Sequence, residues 1–302
     1  MQAMALPTFV IGGARKAGTT ALWAFLREHP QVWMSPIKEP HFLTRDPNNP
    51  APGIRIIGAP RALTNARGLE WYEGLFADGA ECPARGEAST SYLGAVDGPE
   101  MMDRYVPGLK VIFVLREPVD RAYSDYWHNQ KKGHRLPPFD AILDDEPALR
   151  YLLYMSHYRD HLERYRSSVG DDRMHLVLFD DLRGDPAGTY SKICRFIGVE
   201  DGFMPAFEVE HNPHGEAAMP LLQRVITGST YRRWTFLPAG LRRHARQARQ
   251  ALETWNLKRT AYAPLDDGLR ARLVERFADD IRYVESLTRP LPEWWRRGTG
   301  AA

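Results

Sequence analysis

The segment with the clearest chemistry lies near the amino terminus, between two glycines. Residues 13–20 read GARKAGTT; they follow a short apolar run, Phe9–Ile11, and precede a helix-like apolar segment. A strand, a glycine-bounded loop and a helix can bind an anion, because backbone N–H groups and the positive end of the helix face the loop. The sequence therefore predicts a phosphate-binding loop. Its predicted ligand contacts are Arg15, Lys16, Ala17, Gly18, Thr19 and Thr20.

This loop differs from the P-loop of ATPases in the position of its lysine. The ATPase loop places Lys directly after its second glycine. In this chain Thr19 stands there, and Lys16 lies three residues earlier. The hydroxyls of Thr19 and Thr20 replace the usual ammonium, so we expect a phosphate loop of another type.

A second group of polar residues follows another apolar run. Val111–Leu115 is a predicted buried strand that ends at Arg116, and Pro118 suits the first turn of a helix. The polar residues that recur beyond it at helical spacing are Arg121, Ser124, Asp125 and His128. Arg116 and Ser124 can therefore converge on one ligand.

Together, the two segments resemble the sulfotransferases that use 3′-phosphoadenosine 5′-phosphosulfate (PAPS). The first is similar to their 5′-phosphosulfate loop and the second to their 3′-phosphate motif. The likeness is closest to the heparan sulfate branch and related bacterial enzymes. Further similar segments occur in the same order, at residues 35–43, 68–72 and 86–93 and in the tail around Trp294-Trp295.

The resemblance implies that a cation and a base have separate roles in the reaction. Sulfuryl transfer requires that the acceptor lose a proton and that the leaving oxygen be stabilised. Lys16 can reach the leaving oxygen, which is the role of the family's loop lysine. The family's base is the glutamate of the third segment, here Glu39. His41 is the competing base, because its ordinary pKa is nearer neutrality.

The resemblance also implies contacts to the 3′-phosphate, and it has two departures. Arg116 would bind that phosphate by a charge-assisted fork and Ser124 by one hydroxyl. Several heparan-branch enzymes carry a lysine that helps the active site where this chain has Ala88, so that role is absent or filled by another cation. Lys258 and Arg259 match a family cofactor loop that here lacks its glycine.

Composition and apolar patterning predict one α/β domain over residues 1–302. The chain is 43% hydrophobic, which suffices for a sizeable core. Apolar strand candidates alternate with helix candidates, which predicts parallel strands joined by crossover helices. The strands are expected at 9–11, 111–115 and 174–179, and the helices at 19–28, 119–132, 148–167, 186–197 and 267–287. We expect a three-layer P-loop-NTPase-like fold with a central parallel sheet and ligand loops at the strands' carboxyl ends.

The charge distribution argues against a nucleic-acid partner. The net charge is only +2, and no nucleic-acid-binding motif occurs. Residues 220–260 contain nine Lys or Arg against one acid. This tract is either a solvated surface or a site for an anionic acceptor, for the cofactor or, as the last choice, for nucleic acid. No apolar run is long enough to span a bilayer, and the two cysteines have no metal or redox spacing. We expect a cytoplasmic enzyme without membrane insertion.

The sequence thus predicts a PAPS-dependent sulfotransferase that releases PAP and needs no metal. Its predicted acceptor is a hydroxyl, or as second choice an amine, of a carbohydrate or small natural product. Two other interpretations stay open. One is a nucleotide kinase or NTPase on the same fold, weakened by the missing lysine after the second glycine; the other is a non-catalytic nucleotide-binding protein. Neither the acceptor nor the oligomeric state follows from the sequence.

Overall fold

The computed structural model describes residues 5–56, 65–207 and 263–297, together with the backbone of two short strands between the last two ranges. The strands are β1 (Phe9–Gly13), β2 (Val32–Met34), β3 (Ala84–Ala88), β4 (Lys110–Leu115), β5 (Met174–Leu178), β6 (Glu216–Ala217) and β7 (Leu257–Lys258). The helices are α1 (Thr19–Glu28), α2 (Leu69–Glu73), α3 (Gly98–Tyr105), α4 (Pro118–Lys131), α5 (Arg150–Tyr154), α6 (Tyr158–Val169), α7 (Phe179–Gly184), α8 (Pro186–Ile197), α9 (Asp267–Arg276) and α10 (Ala278–Leu287).

Five parallel strands form the central sheet, in the order β2-β3-β1-β4-β5. Helices flank the sheet: α1 packs on β1, β2 and β3, whereas α6 and α8 pack on β5. All of β1 and residues 111–115 of β4 are buried, as expected for inner parallel strands covered on both faces. The predicted class is therefore confirmed: the chain has a three-layer P-loop-NTPase-like fold with a central parallel sheet.

The strand order creates a crevice between β1 and β4. After β1 the chain turns through α1 toward β2 on one side, and after β4 it continues to β5 on the other side. Loops that leave neighbouring strands in opposite directions leave a cleft at their carboxyl ends, where ligands of such sheets bind. The two predicted ligand segments begin at this place.

Most helix predictions are confirmed, and two are wrong. Helices α1 and α8 match their predicted bounds, and α4 begins and ends one residue earlier than predicted. The predicted helix 148–167 is two helices, α5 and α6. Buried Ser156 lies at the break, where its hydroxyl donates to the Pro118 carbonyl and accepts from the Arg121 guanidinium. The predicted helix 267–287 also divides, at buried Phe277. The apolar spacing runs through both breaks and therefore hides them.

Three of the five strands of the central sheet, β1, β4 and β5, were predicted. Strand β5 ends one residue before its predicted end, because Phe179 begins α7. Strands β2 and β3 were not predicted; the first has three residues, and the second contains Arg85 and Glu87 in its interior. Strand β2 is apolar (Val32, Trp33, Met34) but too short to stand out, whereas the polar residues of β3 interrupt its apolar pattern.

Two sequence predictions concern residues outside the described part of the chain. The basic tract 220–260 lies there, apart from the backbone of β7, so only the backbone of Lys258 is described and Arg259 is not. Within the described ranges, no helix has the length and apolar content needed to cross a membrane.

Candidate active site

The predicted phosphate loop connects β1 to α1 at the carboxyl end of the sheet. The Ala14 N–H donates to the Val114 carbonyl at 2.8 Å, which fixes the loop against β4. Gly18 precedes α1 with φ +86°, and a side chain there would come within 2.9 Å of the Phe179 ring. Glycine therefore suits this position both conformationally and sterically. Because Gly18 has no side chain with which to cap α1, the first N–H groups of the helix can bind an anion.

Lys16 is half-buried at the tip of this loop and has a positive φ of 66°. Burial, together with the nearby cations Arg15, Lys132 and Arg116, lowers its pKa to about 8 against the opposing effect of Asp125. The loop thus holds more positive charge than the protein neutralises. A bound polyanion would relieve this excess and raise the pKa of Lys16.

Arg15 joins the phosphate loop to α4. Its Nε and Nη2 donate to the two carboxylate oxygens of Asp125 at 3.2 and 3.0 Å. Asp125 also accepts from the buried Arg121 guanidinium at 3.2 Å. Burial acts to raise the pKa of Asp125, but these two cations together lower it to about 2. The Asp125 carboxylate therefore ties the two predicted ligand segments together, while the nucleotide contact of Arg15 stays a prediction.

Arg116 extends from the end of β4 to the same loop. Its Nη1 donates to the Lys16 carbonyl at 3.2 Å, and its guanidinium lies 5.2 Å from the centre of the Phe179 ring. Its Nη2 lies 3.9 Å from Asp120. Ser124 is buried on α4, next to Asp125. Arg116 thus contacts the predicted phosphosulfate loop directly, and Ser124 is the neighbour in sequence of Asp125, which binds Arg15 of that loop.

Glu39 lies opposite the end of β3 and is held from two sides. The Lys38 ammonium is 2.6 Å from its Oε1, and the Thr90 N–H donates to its Oε2 at 2.8 Å. Burial acts to raise the pKa of Glu39, but Lys38, His41 and the Thr90 amide lower it to about 2. Glu39 is therefore a carboxylate at neutral pH, as a base must be, although it is weakly basic while Lys38 stays in contact.

His41 is the neighbour of Glu39 in space as well as in sequence. Its side chain is 5% exposed, its Nδ1 lies 2.7 Å from the Ser91 hydroxyl, and its Nε2 lies 3.6 Å from Oε2 of Glu39. Burial lowers its pKa, so the imidazole is neutral at physiological pH. Nε2 is buried without a hydrogen-bond partner among the described residues, which suits an atom that exchanges a proton with a substrate.

The structure brings most of the predicted site residues to the carboxyl ends of β1, β3 and β4. Lys16 interacts electrostatically with Arg15 and Arg116, and Arg15 interacts in the same way with Glu39. In the described part of the chain, no group of three or more His, Cys, Asp or Glu side chains could hold a metal.

Sequence reasoning missed four residues that shape this site: Lys38, Thr90, Asp125 and Phe179. Asp125 stood in the predicted helical series and Thr90 in the segment 86–93, but neither residue had an assigned partner. Lys38 and Phe179 had no distinguishing pattern, since their contacts depend on the tertiary fold.

The sequence is similar to those of known sulfotransferases. The sulfotransferase domain model matches residues 6–203. Mouse heparan sulfate glucosamine 3-O-sulfotransferase 6 is 30% identical over 199 residues, which cover 64% of this chain and 53% of that protein. Bovine bifunctional heparan sulfate N-deacetylase/N-sulfotransferase 2 is 30% identical over 211 residues, but the match covers only 22% of its length. The chain thus spans about half of one relative and about a fifth of the other.

A solved structure extends the likeness over nearly the whole chain. The sulfotransferase from Alicyclobacillus acidocaldarius is 25% identical and superimposes with a TM-score of 0.68, covering 96% of this chain and 99% of that one. The family match, which covers well over half of the sequence, and this shared fold identify the chain as a member of the sulfotransferase family.

Proposed function

We propose that this protein transfers a sulfuryl group from PAPS to a carbohydrate or small natural-product acceptor. The observation that carries the proposal is the hydrogen bond from Arg116 to the Lys16 carbonyl. It joins a loop suited to a 5′-phosphosulfate to a guanidinium suited to a 3′-phosphate, and PAPS carries both groups on one ribose. A nucleotide without the 3′-phosphate would leave Arg116 without a phosphate to bind.

The excess of positive charge in the loop supports a polyanionic ligand. The lowered pKa of Lys16 arises from burial and from neighbouring cations, so a ligand with several negative charges fits the residues present. The N–H groups at the start of α1 and the hydroxyls of Thr19 and Thr20 would hold the 5′ end. Arg116 and Ser124 would hold the 3′-phosphate, with Lys258 and Arg259 as further contacts. Residues 1–302 would then act as one sulfotransferase domain.

In the proposed reaction, bound PAPS supplies the sulfuryl group for an in-line transfer. Lys16 stabilises the negative charge that grows on the bridging oxygen. Glu39 accepts the proton of the acceptor as the new bond forms. His41 lies within 3.6 Å of Glu39 and can share that proton through its neutral Nε2. No step requires a metal.

The acceptor class is proposed from the relatives. Both relatives are named for action on heparan sulfate, so a sugar hydroxyl is the first choice for this chain and a sugar amine the second. The rival functions are a nucleotide kinase or NTPase and a nucleotide-binding protein without turnover.

Nucleotide binding and transfer together test the proposal. Calorimetry should detect PAP binding without Mg²⁺, and weaker binding of ATP with Mg²⁺. Labelled PAPS should then be incubated with heparan sulfate, N-deacetylated heparosan and a panel of small hydroxyl compounds, with Lys16→Ala as the inactive control. Tighter binding of Mg-ATP than of PAP would favour the kinase. PAPS binding without transfer to any acceptor, including an extract of the source cell, would favour the binding protein.

A further inference from the structure

Glu87 is a buried carboxyl group that the proposed reaction does not use. It lies on β3 with no exposed surface. The Tyr92 hydroxyl donates to its Oε1 at 2.6 Å, and the Tyr72 hydroxyl lies 3.3 Å from the same oxygen. Its Oε2 has no hydrogen-bond partner in the described structure. A polar group in such surroundings lowers stability unless it is neutral or well paired, and its presence in the core calls for an explanation.

The two tyrosines that bind Glu87 both contact the segment that carries the proposed base. The Tyr92 oxygen accepts the Leu43 N–H at 3.1 Å. The Tyr72 ring stacks on Phe42, with ring centres 4.2 Å apart and planes 10° from parallel. Glu87 is therefore one side chain away from each of the two residues that follow His41.

The same segment has an unusual backbone. Glu39 and His41 have φ values of 61° and 53°, in the left-handed region that residues with side chains seldom occupy. Such conformations persist where the surroundings hold them, often at functional sites. The surroundings here come from the end of β3 and the residues after it: Ser89 accepts the His41 N–H at 3.0 Å, and Thr90 donates to Glu39.

We propose that Glu87 is a positioning residue for sulfuryl transfer: by accepting the hydroxyls of Tyr92 and Tyr72, it holds residues 39–43 in the conformation that aims Glu39 and His41 at the acceptor. The side chains of Glu87, Tyr92 and Tyr72 thus form a clamp on residues 39–43. The role of this clamp in catalysis rests on the proposed function, whereas its hold on the segment does not. The clamp needs only an acceptor at Oε1, so a neutral side chain of the same shape suffices. Burial raises the pKa of Glu87 to about 7, in agreement with a neutral form below pH 7.

Three substitutions and one control separate the clamp from general stability. Glu87→Gln keeps the shape and the Oε1 acceptor, Glu87→Ala removes both, and Tyr92→Phe removes only the hydroxyl. Tyr190→Phe is the matched control, because Tyr190 is a buried tyrosine on α8 whose hydroxyl lies 3.5 Å from the Phe25 carbonyl. For each variant, hydrogen exchange is measured by mass spectrometry over residues 38–44. Affinity for PAP is measured by calorimetry, and kcat and KM are measured with labelled PAPS and heparan sulfate.

We expect a specific pattern across these variants. In Glu87→Ala and Tyr92→Phe, amide exchange over 38–44 should rise about 10-fold, because a hydrogen bond that closes the segment is lost. The kcat should fall about 100-fold as the base loses its alignment. Affinity for PAP should stay within about 3-fold, since α1 and its loop do not depend on the clamp. Glu87→Gln and Tyr190→Phe should resemble the wild type in both measurements.

Other outcomes overturn the proposal. Unchanged amide exchange in Tyr92→Phe would show that residues 38–44 keep their conformation without the Tyr92 hydroxyl. Faster exchange with an intact kcat would show that Glu87 has a structural role only. A loss in Glu87→Gln as large as in Glu87→Ala would show that the negative charge, rather than the acceptor at Oε1, is needed. If Glu87→Ala does not fold, Tyr92→Phe and Glu87→Gln still test whether Glu87 positions the segment. If the wild type transfers sulfate to nothing, the proposed function fails, while exchange still decides whether Glu87 holds the segment.

Discussion

The Lys38 ammonium lies 2.6 Å from the Oε1 atom of Glu39, the proposed base. This contact, together with His41 and the Thr90 amide, lowers the pKa of Glu39 to about 2 despite the opposing effect of burial. A carboxylate held in this way is charged but a poor proton acceptor. The basicity of Glu39 therefore depends on whether Lys38 stays in contact during the reaction.

Removing the Lys38 charge should make Glu39 a stronger base and bring its titration into the measurable pH range. In Lys38→Met the pKa of Glu39 should rise, so the acid limb of kcat/KM should move upward by about 1–2 pH units. The sign follows because Glu39 must be deprotonated to act, and a higher pKa makes it lose that form at a higher pH. The pH–rate profile from pH 3 to 8 tests this, because the variant should show an acid limb there that the wild type lacks. Lys192→Met, an exposed lysine on α8, is the control; an unmoved acid limb in Lys38→Met would separate Lys38 from the base.

Substitution of Glu39 and of His41 distinguishes the two candidate bases. Glu39→Gln keeps the shape but removes the proton acceptor, so transfer should fall about 10²–10⁴-fold while PAP affinity changes little. His41→Ala should have the smaller effect. If His41→Ala abolishes transfer and Glu39→Gln does not, the base is His41. Comparable losses in both would indicate a coupled pair, which their 3.6 Å separation allows.

Local sequence patterns were sufficient for the fold and for the phosphate loop. The apolar runs of β1 and β4 predict buried parallel strands, and the glycines around Lys16 predict the loop between β1 and α1. These features depend on neighbours in the chain. Arg116 was predicted as a contact to the 3′-phosphate, but its hydrogen bond to the Lys16 carbonyl was not predicted.

The contacts that tune the site could not be predicted in the same way. The bond between Arg15 and Asp125 joins residues 110 positions apart, and the link from Glu87 to residues 42 and 43 passes through two tyrosines on other elements. Neither contact has a periodic signature. The breaks at Ser156 and Phe277 were hidden for a related reason, since apolar spacing continues through both.

Lys16 should show its role in the pH dependence of PAPS use. Burial and nearby cations lower its pKa to about 8 in the free enzyme. The protonated form meets the developing charge, so kcat/KM for PAPS should fall as the pH rises through 8. Lys16→Ala should lose this limb and lower kcat about 10²-fold or more. A raised KM for PAPS with intact kcat would instead assign Lys16 to ground-state binding.

Stability should decrease between pH 5 and pH 8 because two buried glutamates hold protons. Burial raises the pKa values of Glu87 and Glu117 from 4.5 to about 7. The native state thus binds these protons more tightly than the unfolded chain, and the resulting stability is lost as the pH rises through 7. The expected loss is about 1–3 kcal/mol per group. Urea unfolding at both pH values measures it. Glu87→Gln should reduce the difference, whereas an identical difference in that variant would exclude Glu87 as a contributor.

Arg116 and Ser124 should determine the preference for a nucleotide with a 3′-phosphate. A charge-assisted contact contributes roughly 1.5–3 kcal/mol, so Arg116→Ala should weaken PAP binding about 10–100-fold. Ser124→Ala should weaken it less, by about 1 kcal/mol for a neutral bond. AMP lacks the 3′-phosphate and serves as the internal control, because Arg116 also touches the Lys16 carbonyl and could support the loop itself. Calorimetric titration of both ligands against both variants should show a larger loss for PAP than for AMP. Equal losses for the two ligands would mean that these residues hold the loop in place and do not recognise the 3′-phosphate.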